Sequence, residues 1–111
     1  MQTIGFTSDG LRLYGELYMA DGTRLPALCI CHGIPARPYD PDDRGYAILA
    51  ERFAHEGFAV LLFYFRGAGL SEGNFDMPGW TRDLTSAVSE LCSIPAVDPE
   101  RIFVMEFSGG A

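Results

Sequence analysis

Phe58 to Phe65 reads FAVLLFYF, eight uncharged and mostly apolar residues without a break. A run this short, rich in β-favouring side chains and bounded by Gly57 and the Arg66-Gly67 pair, fits a strand covered on both faces. ALCIC (27–31) is a second run of the same kind. Between the two lies HGIPARPYDPDD (32–43), whose Pro, Gly and Asp content marks a loop. After it, Tyr46, Leu49, Ala50, Phe53 and Ala54 recur at i, i+3, i+4, i+7 and i+8, one face of a helix. Asp42 or Asp43 stands where a carboxylate would cap that helix. Two fully apolar strands joined through a helix predict parallel pairing with a crossover.

The pattern extends in both directions. RGAGLSEGNFDMPG (66–79) reads as loop, and Trp80, Leu84, Ala87, Val88 and Leu91 predict a helix over about 80–93, broken by Pro95 and Pro99. RIFVMEF (101–107) is the last strand. Toward the N-terminus, TIGF and LRLYGELYM flank SDG, a hairpin signal, and DGTRLP (21–26) is a second turn. The expected order is strand, strand, strand, helix, strand, helix, strand. This is an α/β chain, 1–111, with an antiparallel hairpin at one edge and parallel strands carrying crossover helices.

Composition narrows the function. The chain has 111 residues, 48% of them hydrophobic, and a net charge of −7. An acidic surface repels phosphates, so no nucleic acid partner is expected. No apolar run reaches the roughly 18–20 residues that span a bilayer, so no membrane partner is expected either. The first ten residues lack a basic stretch followed by an apolar one, so a cytoplasmic protein is expected. Cys29, Cys31 and Cys92 read as reduced thiols, and no Cys/His spacing suits zinc, so neither metal nor cofactor is expected. GAGLSE (67–72) half-matches a dinucleotide fingerprint, but Glu72 replaces its last glycine and no helix opens there.

EFSGGA (106–111) follows the last strand. A serine on a sharp turn after a buried strand can lift its hydroxyl above a sheet as a nucleophile, and an ordinary Ser-Gly-Gly turn has the same composition. On these residues alone both readings stand. Elsewhere, Arg66 is expected to tie its loop to carbonyls or carboxylates, Asp83 to serve the first turn of its helix, and Trp80 to anchor that helix in the core.

Taken together, CHGIP (31–35), FRGAGLSEG (65–73) and VDPERIFVMEFSGGA (97–111) resemble the alpha/beta hydrolase family, most of all its esterase and dienelactone-hydrolase-like branch. The resemblance covers nearly the whole chain and matches the N-terminal half of the family's domain, with the sheet truncated after the nucleophile strand. It implies a serine hydrolase acting on a small-molecule ester. Ser108 would be the nucleophile, and the backbone N–H groups of Ile34 and Gly109 would form the oxyanion hole. His32 would be the structural histidine of the HG pair, not the base.

The sequence departs from the family pattern in three places. Glu106 replaces the first glycine of G-x-S-x-G, and a buried, unpaired carboxylate there would impair the turn. Tyr64 stands where Asp or Asn is common. The family's acid and histidine follow the nucleophile, whereas only His32 and His55 occur here, and His55 reads as a solvated helix residue. The expected partner is therefore a complementary C-terminal hydrolase segment, or a second copy through the open edge of the last strand. Without it the chain would be nearly inert toward esters.

Overall fold

The computed structural model describes residues 1–34 and 40–107. Strands β1 (Gln2–Ser8) and β2 (Leu11–Met19) form the hairpin; β3 (Leu25–Cys31), helix α1 (Gly45–His55), β4 (Ala59–Phe63), helix α2 (Met77–Cys92) and β5 (Val97–Glu106) follow. The hairpin turn places Asp9 and Gly10 at positive φ, as a two-residue turn of matching twist requires.

The sheet order is β1-β2-β4-β3-β5. β2 pairs antiparallel with β1 and β4, whereas β3 pairs parallel with β4 and β5. This is a mixed sheet with an antiparallel hairpin at one edge and parallel strands linked through helices, as the element order predicts.

The two apolar runs lie in the middle of the sheet because both of their faces are covered. Along β4, Ala59, Leu61 and Phe63 face the core layer that holds Trp80, Ala87 and Leu91 of α2. Val60 and Leu62 face the opposite layer, with Ala50 of α1. β3 divides the same way, Ala27, Cys29 and Cys31 against Leu28 and Ile30. This alternation with no polar face is what a central strand under two helical layers demands.

β3 begins earlier than expected, at Leu25, and β4 is shorter, Ala59–Phe63; three further departures have a local cause. α2 begins at Met77, not near residue 80: the Asp76 carboxylate caps it by accepting from the Gly79 amide at 3.0 Å, and Pro78 occupies the first turn, where its missing N–H is not needed. β5 begins at Val97 and runs through Pro99, with a register shift opposite Leu25 and Ala27; proline is tolerated there because β5 is the outer strand among the described residues. At the start of α1 the capping position is Arg44, whose side chain makes no capping bond, while Asp43 accepts from the Gly45 amide at 3.0 Å and so still satisfies one open donor.

Candidate active site

Cys31 is the last residue of β3 and pairs with Glu106, the last residue of β5. The pairing continues one step further: the Phe107 amide donates to the Cys31 carbonyl at 3.1 Å. His32-Gly33-Ile34 and Phe107 therefore leave adjacent strands at the same end of the sheet. Open α/β sheets bind ligands at this carboxyl end. Ser108 and Gly109, the expected nucleophile and second oxyanion donor, lie outside the described residues.

His32 is 4% exposed. Its Nδ1–H donates to the Gly33 carbonyl at 2.6 Å, and its Nε2 accepts from the Phe65 amide at 3.1 Å. These two bonds fix one neutral tautomer. Burial pushes the ring's pKa below its ordinary value, against the weaker opposing pull of the Gly33 carbonyl. With both nitrogens occupied, His32 cannot take a proton from a serine. Its rings of contact are Tyr64, Phe65 and Trp80, at 5.7, 5.2 and 5.3 Å between centroids. Tyr64, the unusual residue before the RG loop, thus packs against the site histidine. His55 is exposed on α1.

The loop after β4 is pinned to α2. Arg66 is buried, and its guanidinium meets the Asp83 carboxylate through Nη2 at 2.7 Å and through Nε at 3.1 Å. The Arg66 amide also donates to Asp83 Oδ2 at 2.9 Å. A further bond runs from Arg66 Nη2 to Asp9 on the hairpin turn at 2.8 Å. Trp80 Nε1–H donates to the Arg66 carbonyl at 3.0 Å, and its ring stacks on Phe65 at 4.2 Å. Arg66 and Trp80 thus act as expected. Asp83 does not: it is wholly buried beneath Arg66 and leaves the helix start to Asp76.

Two glycines make this fit possible. A Cβ on Gly79 would lie 2.6 Å from the Arg66 guanidinium. Gly67 has φ +79°, and a Cβ there would lie 2.5 Å from the Phe75 amide nitrogen, where the loop folds back on itself.

Ile34 is 52% exposed, in the turn after β3. Glu106 is also exposed, so the cost of a buried carboxylate expected from its place before Ser108 does not arise among the described residues. Cys29 and Cys31 are both fully buried in β3, and Cys29 is held well above its ordinary pKa by its hydrogen bond with Cys31 and by burial. Among the described residues no three acidic, His or Cys side chains gather as a metal site, and no helix is long and apolar enough to cross a membrane.

Sequence reasoning missed two contributors. Asp83 looked like any acidic residue near a helix start, and Tyr46 like the first apolar position of α1. Tyr46 is half-buried; its hydroxyl accepts from the Gly33 amide at 3.4 Å, and its ring lies 5.0 Å from Phe107. Only its helical spacing was visible beforehand.

Comparison with known proteins agrees with this geometry. The alpha/beta hydrolase GrgF from Penicillium sp. sh18 superposes with a TM-score of 0.82 at 30% identity, over 96% of this chain and 37% of its own. The chain has the fold of the N-terminal half of an alpha/beta hydrolase. Among curated relatives, this chain is 38% identical to a polyketide transferase of Stachybotrys chlorohalonatus, over 95% of the chain and 35% of that protein. It is 37% identical to a thiohydrolase of Aspergillus aculeatus, over 86% of the chain and 30% of that protein. The chain thus spans about a third of the length of these curated relatives. No family model matches it.

Proposed function

We propose that these residues form the nucleophile and oxyanion half of a serine hydrolase that cleaves small-molecule carboxylic esters, in the manner of the esterase and dienelactone-hydrolase-like branch. One observation carries the reading. The bond from the Phe107 amide to the Cys31 carbonyl brings the residue before Ser108 alongside the turn that holds His32, Gly33 and Ile34. In this reading Ser108 Oγ attacks the substrate carbonyl carbon, and the carbonyl π electrons move onto oxygen. The Ile34 and Gly109 amides stabilise that charge, each worth about 3 kcal/mol in comparable sites. A base takes the Ser108 proton and passes it to the leaving oxygen as the intermediate collapses, so the alcohol departs and leaves an acyl-serine, which water hydrolyses to the acid and free serine. The relatives named as thiohydrolase and polyketide transferase add thioesters to the acyl donors worth testing.

Ser108 needs a base to become a competent nucleophile. His32 is committed on both nitrogens, and His55 sits on the outer surface of α1. The base and its acid partner are therefore assigned to a complementary C-terminal hydrolase segment. The test is covalent labelling with a fluorophosphonate probe, read by peptide mass spectrometry, with and without such a segment. Probe on Ser108, lost in Ser108→Ala, is the expected result. Labelling elsewhere, or none with the complementary segment present, sinks the reading.

A second reading has its own support. Phe103 and Val104 of β5 are 53% and 43% exposed on the outer strand. Unpaired strand edges recruit further strands. A catalytically inactive chain acting only through association, including with a second copy, would show concentration-dependent mass in light scattering together with no labelling of Ser108 under any condition.

A further inference from the structure

We propose that Tyr46 is a positioning residue of the oxyanion site, an inference that rests on the hydrolase reading above. Gly33 is held at both of its polar groups. Its N–H donates to Tyr46 Oη at 3.4 Å, and its carbonyl accepts from His32 Nδ1 at 2.6 Å. The Gly33 carbonyl and the Ile34 N–H belong to one planar peptide unit and point in opposite directions. Holding the carbonyl toward His32 therefore aims the Ile34 N–H away from it. Glycine has the widest backbone freedom of any residue, so a grip on the carbonyl alone leaves the preceding peptide free to turn. Tyr46 grips that preceding peptide. The two contacts bracket the only soft dihedrals of Gly33.

Tyr46 also reaches the other side of the site. Its ring meets Phe107 edge to face, at 5.0 Å and 69°, and Phe107 immediately precedes Ser108. One side chain from the first turn of α1 thus touches both the turn after β3 and the end of β5. It is placed to set their separation, on which the alignment of nucleophile and oxyanion donor depends. A tyrosine needed only for packing would use its ring alone. The hydroxyl on the Gly33 amide is the feature that packing does not explain.

The experiment compares Tyr46→Phe with Tyr46→Leu in the full protein that carries this sequence. Tyr46→Phe keeps the ring against Phe107 and removes the acceptor. It should lower kcat about three- to tenfold, the loss of one ordinary hydrogen bond, with KM and the unfolding midpoint nearly unchanged. Tyr46→Leu should lower kcat further and shift the midpoint as well. Backbone resonances give a readout independent of turnover. His-Gly and Gly-Ile each occur once in the 111 residues, so paired isotope labelling, with the two signals assigned by their loss in Gly33→Ala and Ile34→Val, reports the Gly33 and Ile34 amides. Both should move in Tyr46→Phe. Turnover that survives Ser108→Ala defeats the hydrolase reading and the oxyanion role of Tyr46 with it. Turnover that depends on Ser108 while Tyr46→Phe leaves kcat and both amides unchanged defeats the positioning role alone.

Discussion

The two strand ends that converge on the site are held in different ways. At the end of β4, every polar group of Arg66 and Asp83 named above has a partner, and Trp80, Phe65 and His32 fill the space around them. At the end of β5, order comes from backbone pairing with β3 and from the Tyr46 contact, while Phe103, Val104 and Glu106 face outward. One end is locked by side chains and the other by its ladder. In the proposed site the oxyanion turn rests on the first and Ser108 on the second, so damage to each should be measurable separately.

The most severe test of that contrast removes the buried carboxylate. Asp83→Ala leaves the Arg66 guanidinium with Asp9 alone, and breaking one partner of a buried pair costs about 3–5 kcal/mol. The surviving Asp9 bond places the expected loss near the lower bound. Chemical denaturation measures it, and a loss below about 1 kcal/mol would show that the lock is ornamental. Next comes Gly79→Ala, which drives a methyl into the guanidinium. Overpacking of this kind costs about 1–3 kcal/mol, and the variant should destabilise despite alanine's better helix propensity. A stabilised variant would mean that Arg66 yields easily.

Acid should act on the same end. The folded His32 ring resists protonation, with its pKa below the ordinary 6.5. Below pH 6.5 the unfolded chain therefore binds the proton more readily than the folded one. The His32 contribution is absent above that pH and becomes a growing loss of stability as pH falls, until the folded ring is protonated too. The slope of unfolding free energy against pH, between about 6.5 and 5, should flatten in His32→Asn. An unchanged slope would place the titration elsewhere. The smallest effect belongs to the β5 end. Glu106→Gln alters an exposed charge and should change stability by less than about 0.5 kcal/mol; a larger change would mean that Glu106 has a partner.

Much of this arrangement could be read from the sequence because it follows from periodicity. FAVLLFYF and ALCIC have no polar face, so they had to be central strands, and the 3.6-residue repeats fixed two covering layers. The HG and RG turns and the SGG end gave the candidate site by position. The rest was hidden for a physical reason. Asp83 pairs with Arg66 across 17 residues and Phe65 with His32 across 33, distances over which no local pattern reports. MPG looked like punctuation, because a proline in the first turn of a helix and one in a loop have the same local sequence. Tyr46 announced its ring through spacing, but nothing announced its hydroxyl. Glu106 looked costly on the assumption of burial, whereas its side chain is exposed on β5.

The bond from Arg66 to Asp9 ties the tip of the opening hairpin to a loop 57 residues away. A hairpin of this kind can zip up from its own turn within microseconds, yet its tip gains its ionic anchors, Arg66 and Arg82, only when the loop after β4 and helix α2 have packed against it. Early closure and late fastening are therefore separate events for the same two strands. The N-terminal edge of the sheet is thermodynamically a hostage of the middle of the chain.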